Sequence, residues 1–267
     1  MLTLGWFSTG RGEGSLGLLT TVRGAIDRGQ LPAQIQFVFS NREPGEAEGS
    51  DRFYRQVHDY NIPLVALSSR RYRREHGGGP FEGHRLEFDR EVMRLLEGYE
   101  PDLCVLAGYG LITANEMCNR YTMLNLHPAL PGGPVGTWQY VIWKLIEERA
   151  QEAGAYIHLA TEDLDQGPVL TYCSFSLQGG DFDPCWSQVE GRSAEDLKAH
   201  EGEDLPLFQL IRQEGIRRER PLLLETLQAF ALGDIRVEGR RVVDDLGNPT
   251  GGLCLNDAIE RALEGGG

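Results

Sequence analysis

Apolar positions along the chain fall into two periods, and their alternation predicts the fold. Short apolar runs bounded by turn residues occur at 2–7 (LTLGWF), 35–40 (IQFVFS), 63–67 (PLVAL), 103–107 (LCVLA) and 124–127 (LNLH). Runs of that length read as buried strands. Between them lie segments whose apolar residues recur every three or four positions, the spacing of a helix face. They are 18–28, 51–61 with Phe53, Val57 and Tyr60, 82–98 with Leu86, Val92 and Leu96, and 137–150 with Trp138, Val141, Ile142, Leu145 and Ile146. Strands and helices in turn imply a doubly wound, Rossmann-like α/β fold with a mostly parallel sheet. Two further strands, 155–161 and 169–177, are joined by a short turn and must pair antiparallel, which places an antiparallel end strand on the sheet.

Beyond residue 177 the pattern loosens into a helical C-terminal extension. The polar segment 178–203 is expected to be an extended loop with a short helix near 194–200. Two amphipathic helices, 205–218 and 221–232, should follow, the second opened by Pro221, because proline suits a first helical turn. Residues 235–243 read as a small hairpin turning at Glu238 and Gly239.

Composition narrows the classes of function. At 267 residues, 40% of them hydrophobic, the chain can bury a substantial core. No apolar run approaches the ~20 residues that cross a bilayer, and residues 1–7 lack a basic signal-peptide start, so a cytoplasmic location without membrane contact is expected. Cys104, Cys118, Cys173, Cys185 and Cys254 are scattered and form no CxxC pair. That argues against a disulfide framework or a metal site. A net charge of −14 argues against nucleic acid as a partner, since such binding needs clustered Lys and Arg. A small anionic ligand held by local donors remains open.

Candidate chemistry concentrates in LNLHPALPGGPVG (124–136). Asn125 and His127 are two residues apart in a strand, so amide and imidazole project from one face. Pro128 and then Pro131, Gly132, Gly133 and Pro134 take the chain out of the sheet just after His127. The pair therefore stands at a strand's carboxyl end, where α/β proteins bind ligands. Asp165 falls in the turn between the two antiparallel strands. A hydrogen-bond donor, a titratable ring and a carboxylate suit acyl transfer to an amine. The glycine-rich stretch 8–17 (STGRGEGSLG) between the first strand and helix reads either as a tight βα turn or as a phosphate cradle. Arg70, Arg71, Arg73 and Arg74 lie in a second glycine-bearing stretch, 68–84, which reads as a solvated mobile loop or as an anion contact.

The order of these pieces resembles the folate-dependent formyltransferases, and among them most the glycinamide ribonucleotide formyltransferases. NLHPALP matches the family's Asn-x-His-Pro-Ser-Leu-Leu-Pro, one residue shorter and with Ala129 in place of Ser. GAYIHLATEDLDQGPV matches its Gly-x-x-x-His strand and Leu-Asp-x-Gly-Pro turn through Gly154, His158, Leu164, Asp165, Gly167 and Pro168. YEPDLCVLAG (99–108) matches a third segment. The likeness covers residues 1–171 well and the remainder loosely. It implies formyl transfer from 10-formyltetrahydrofolate, as co-substrate, to a small phosphorylated amine, without a metal. Asn125, His127 and Asp165 would be catalytic, and Gly108, Tyr109, Leu111, Ile112 and Asp163 would line the folate site, although Tyr109 reads equally as a core ring. Gly12, Gly14 and Ser15 would hold the acceptor's phosphate, with Glu214 as a contact from the C-terminal helices. Water, or a nucleotide-linked amino sugar, is an alternative acceptor, and an inactive folate or nucleotide binder is the non-enzymatic one. The expected organisation is a catalytic domain over 1–177 with 178–267 packed on it. The long loops 68–84 and 178–203 are candidates to close over the site or to face the partner in a homodimer.

Overall fold

The computed structural model describes residues 1–265. The chain runs β1 (Leu2–Phe7), α1 (Glu13–Asp27), β2 (Ala33–Ser40), α2 (Glu48–Asp59), β3 (Leu64–Ala66), α3 (Ser69–Glu75), α4 (Arg85–Leu95), β4 (Leu103–Leu106), α5 (Asn115–Arg120) and β5 (Met123–His127). It continues α6 (Trp138–Glu147), β6 (Glu152–Leu159), β7 (Val169–Ser176), α7 (Phe182–Gln188), α8 (Ala194–His200), α9 (Pro206–Leu232), β8 (Ile235–Glu238), β9 (Arg241–Asp244), β10 (Leu253–Cys254) and α10 (Asn256–Gly265).

Strand periodicity decides which side chains meet which layer. Leu4, Trp6, Val105 and Leu124 pack on one face with Leu19 and Val22 of α1 and Leu223 and Leu227 of α9. Their sequence neighbours Phe7, Cys104, Leu106 and Met123 pack on the other with Phe88 and Val92 of α4 and Met117 of α5. Both faces are covered, as a doubly wound sheet requires. Gly5 interrupts the buried half of β1, because a Cβ there would lie 2.6 Å from the Phe37 ring and 2.8 Å from Cys104 Sγ.

Eight strands form the main sheet in the order β10-β7-β6-β5-β4-β1-β2-β3, and β8 and β9 form the predicted hairpin. β6 is antiparallel to both β5 and β7. It stands third from one edge, because β7 and the two-residue β10, parallel to β7, lie beyond it. The chain lays β2 and β3 on one side of β1 and then crosses to β4 on the other, so the switch point lies between β1 and β4. Loops leaving the ends of those strands frame a natural crevice.

Four local expectations change. Helix α1 begins at Glu13, so Gly14 and Ser15 belong to its first turn. Stretch 68–84 contains α3, capped by Ser68, whose hydroxyl accepts the Arg71 N–H at 3.0 Å, and a 3-10 turn at Phe81–His84. Loop 178–203 carries α7 as well as the predicted 194–200 helix. Finally, 205–218 and 221–232 are one helix, α9, with Pro221 inside it. Leu207, Phe208 and Ile211 before the proline are buried against α6, α7 and α8, and Leu222, Leu223 and Leu227 after it against the sheet. Burial on both sides overrides the ~3 kcal/mol that an interior proline costs a helix.

Candidate active site

Asn125 and His127 lie at the end of β5, where Asn125 faces Leu106 of β4 on one side and His158 of β6 on the other. Asp165 reaches them from the β6–β7 turn. Its φ of 53° lies in the left-handed region, which Asp and Asn tolerate better than most residues. Two contacts fix the turn. The Tyr156 hydroxyl donates to the Asp165 carbonyl at 2.7 Å, and Gly167 lies so close to β6 that a Cβ would fall 1.7 Å from the Leu159 carbonyl oxygen.

The three side chains, with His158, form one hydrogen-bonded cluster. Asn125 Nδ2 donates to Asp165 Oδ1 at 3.0 Å, His127 Nδ1 is 3.2 Å from Oδ2, and His158 Nε2 is 3.5 Å from Oδ1. His158 Nδ1 donates to the Leu159 carbonyl at 2.9 Å, which leaves Nε2 able to accept from Asn125 Nδ2 at 3.2 Å. Both amide hydrogens of Asn125 are thus engaged. His127 Nε2 is 2.8 Å from the Pro134 carbonyl, so both of its nitrogens face acceptors, and the doubly protonated ring satisfies both. Burial disfavours a charged Asp165. The hydrogen bond from His127 and the charge of its ring outweigh that and hold the carboxyl well below the usual carboxylate range.

A cavity of 480 Å³ opens over this cluster, between the ends of β1, β4 and β5 and the flank of α9. Asn125, His127 and Asp165 line it together with His158. Gly108, Leu111 and Ile112 contribute from the loop after β4, Gly12 from the loop after β1, and Gly14 and Ser15 from the first turn of α1. The two loops touch, since a Cβ on Gly108 would sit 2.3 Å from Ser15 Oγ. Gly12 caps α1 without a side-chain hydrogen bond, and both Gly12 and Gly14 have open space where a Cβ would be. The first-turn N–H groups of α1 are therefore unobstructed on that side.

Three expected residues stand differently. Tyr109 borders the cavity, but its ring is buried edge-on to Phe7 and Phe39 at 5.6 Å and 6.1 Å between centroids. Asp163 is exposed in the turn and is not on the cavity wall; its carbonyl accepts from Thr161 Oγ1 at 2.9 Å. Glu214 is also off the wall, its carboxylate held by Arg217 and Arg218 at 2.7 Å each. The α9 residues that do line the cavity are Arg212 and Glu219, paired at 2.8 Å, with the Arg212 guanidinium 4.5 Å from the centre of the Trp138 ring. Their separation of seven residues puts them on one helix face. Sequence reasoning ended the first helix at residue 218, one residue short of Glu219, and weighed Glu219 beside Glu214 without pairing it to Arg212.

A doubly wound sheet with an amide, imidazole and carboxylate cluster at a strand end, beside an uncapped glycine-loop helix, defines an α/β enzyme that works on a small ligand. The chain belongs to the formyl transferase family, whose model matches residues 13–177. It is 31% identical over 165 residues to the phosphoribosylglycinamide formyltransferase of Escherichia coli (strain K12), covering 61% of this chain and 69% of that protein. It is 26% identical over 144 residues to the formyltetrahydrofolate deformylase of Bacillus subtilis (strain 168), covering 53% of this chain and 41% of that protein. The fold matches the solved phosphoribosylglycinamide formyltransferase of Coxiella burnetii with a TM-score of 0.66 and 22% identity, over 95% of this chain and 98% of that one. No helix among the described residues is long and apolar enough to cross a membrane.

Proposed function

We propose that the chain transfers the formyl group of 10-formyltetrahydrofolate to the primary amine of glycinamide ribonucleotide. The observation that carries this reading is the meeting of Asn125, His127 and Asp165 in one cavity that also holds the glycine loop. In this reading the formyl group lies over the cluster, the folate ring along Gly108, Leu111 and Ile112, and the acceptor's phosphate at Gly12, Gly14 and Ser15. The acceptor amine attacks the formyl carbon, and negative charge gathers on the formyl oxygen; the intermediate then collapses with cleavage of the bond between the formyl carbon and the folate nitrogen, which takes up the proton released by the amine and leaves as tetrahydrofolate. His127 turns its Nε2 proton from the Pro134 carbonyl to that oxygen, and Asn125 gives it the N–H now shared with His158. Removing one such donor typically costs ~10²–10³ in rate. Asp165 keeps the His127 ring charged and oriented and accepts, directly or through a water, the proton that leaves the attacking amine. Residues 178–267 act in the same catalytic unit, a reading supported by Arg212 and Glu219 in the cavity wall.

Hydrolysis of the formyl group is a second reading, favoured by the likeness to a deformylase, because a water can take the amine's place over the same cluster. The test is an initial-rate assay with 10-formyltetrahydrofolate and, in turn, glycinamide ribonucleotide, a nucleotide-linked amino sugar, or water alone. Formylated glycinamide ribonucleotide is the expected product. Formate at the same rate with and without an amine would make hydrolysis the activity, and turnover with the amino sugar alone would replace the acceptor.

A further inference from the structure

Tyr156 is off the cavity wall, yet it meets three of the four residues of the cluster, His127, His158 and Asp165. Strand register explains how. β6 runs antiparallel to β5 with His158 opposite Asn125 and Tyr156 opposite His127. Directly opposed residues of an antiparallel pair share a face, and so do alternate residues of one strand. Asn125, His127, His158 and Tyr156 therefore form a two-by-two patch, while Ala155 and Ile157 turn to the layer of α1 and α9.

Packing fixes the Tyr156 ring. It lies edge-on to His127, with centroids 5.3 Å apart and planes at 60°, and tilted against His158 at 5.3 Å. Ala129 and Val141 join it in a small apolar cluster, and the residue is 5% exposed. A fixed ring gives its hydroxyl a fixed aim, and the hydroxyl donates to the Asp165 carbonyl at 2.7 Å. Burial, and then the Asp165 charge, push the phenol up to about 12, so the hydroxyl stays a donor at neutral pH.

The carbonyl that it holds belongs to the residue whose φ is 53°. A residue other than glycine stays in that region only where its surroundings over-determine it. Little else in the turn does so. Residues 162–164 and 166 are exposed, the Gln166 N–H reaches the Asp163 carbonyl only at 3.4 Å, and the close approach at Gly167 lies two residues past Asp165. If φ relaxed, the carboxylate would swing away from His127 and Asn125.

We propose that Tyr156 is a positioning residue: by holding the Asp165 carbonyl, its hydroxyl keeps the Asp165 carboxylate against His127 and Asn125. The Gly-x-x-x-His pattern through Gly154 and His158 leaves position 156 open. The role rests on the reading that Asp165 serves the chemistry, whichever acceptor takes the formyl group.

Tyr156→Phe removes the hydroxyl and keeps the ring. In whichever reaction the parent carries out, transfer or hydrolysis, kcat should fall about tenfold, with KM for 10-formyltetrahydrofolate within about threefold and the melting temperature within about 4 °C. Added to Asp165→Asn and assayed at high enzyme concentration, the same substitution should change kcat by less than about twofold, because it acts only through the carboxylate. Hydrogen exchange read by mass spectrometry should quicken in a peptide spanning 160–167 and not in one spanning β2. A folded Tyr156→Phe with kcat within about twofold of the parent, an equal loss in both backgrounds, or unchanged exchange in the turn would overturn the role. A parent with no turnover in either reaction would overturn the function reading instead, and the exchange experiment would still decide whether the hydroxyl holds the turn.

Discussion

Asp165→Asn is the sharpest perturbation of the cluster. The amide matches the carboxylate in size and tolerates the φ of 53°, so the β6–β7 turn should persist, which alanine would not ensure. What disappears is one negative charge, 3.2 Å from His127 Nδ1 and 3.5 Å from His158 Nε2, on a side chain 5% exposed. A hydrogen bond to a charged group is worth about 1.5–3 kcal/mol, and each 1.36 kcal/mol off the barrier is tenfold in rate. Loss of the charged, oriented His127 therefore accounts for about 10- to 100-fold by itself. Removing a general base takes about a further 10²–10⁴. The expected loss of kcat is thus at least about 10³-fold, with folate affinity within a few fold. Initial rates at saturating 10-formyltetrahydrofolate give the first quantity, and quenching of intrinsic fluorescence by the folate gives the second. A folded variant with kcat within tenfold of the parent would refute the assignment. The same variant tests the pH linkage. The native carboxyl titrates below its unfolded value, so it stabilises the fold above the ordinary Asp range and that contribution fades as pH falls through it. Asp165→Asn should lack this acid-range loss.

Asp89 behaves oppositely: it is 1% exposed, accepts the Ala114 N–H at 2.6 Å, and burial raises its pKa from 3.8 to about 7. Between about pH 4 and pH 7 the unfolded carboxyl ionises before the folded one, so this group should remove up to about 4 kcal/mol of stability as pH rises. In urea titrations from pH 4 to 8, Asp89→Asn should gain on the parent with rising pH, and parallel profiles would contradict it. Pro221→Ala restores an N–H inside α9 and should raise stability by about 1–3 kcal/mol; a lower melting temperature would show instead that the ring's packing is required. Gly154→Ala puts a Cβ 2.2 Å from the Cys173 carbonyl and 2.5 Å from Leu130 Cδ2. It should cost at least about 2 kcal/mol in denaturant unfolding and lower turnover, because Leu130 belongs to the loop that follows His127.

Much of this protein is written locally. Period-two alternation in LNLH put Asn125 and His127 on one face, and the prolines and glycines behind them ended β5 at that point. The short link between 159 and 169 forced β6 and β7 to pair antiparallel, and Glu238-Gly239 marked the β8–β9 turn, because such links leave the backbone few alternatives. The order of these motifs was enough to point to the formyltransferase family. Other features depend on contacts between residues far apart in sequence. Pro221 reads locally as a helix start, yet α9 runs through it because its two halves are buried against different layers. Packing of the first half against α6, α7 and α8 turns Arg212 and Glu219 to the cavity and leaves Glu214 outside it. The two-residue β10 has no periodicity to detect and exists because β7 offers an unpaired edge. Helix α5 is six residues, too short to hold by propensity, and is fixed by burying Met117 and by the Asp89 bond at its cap. Sequence could nominate Asp165 as a carboxylate in a turn. Only the folded chain determines that two imidazoles and an amide converge on it, because the charge state of a buried acid is set by neighbours that the sheet, not the sequence order, brings within 3.5 Å.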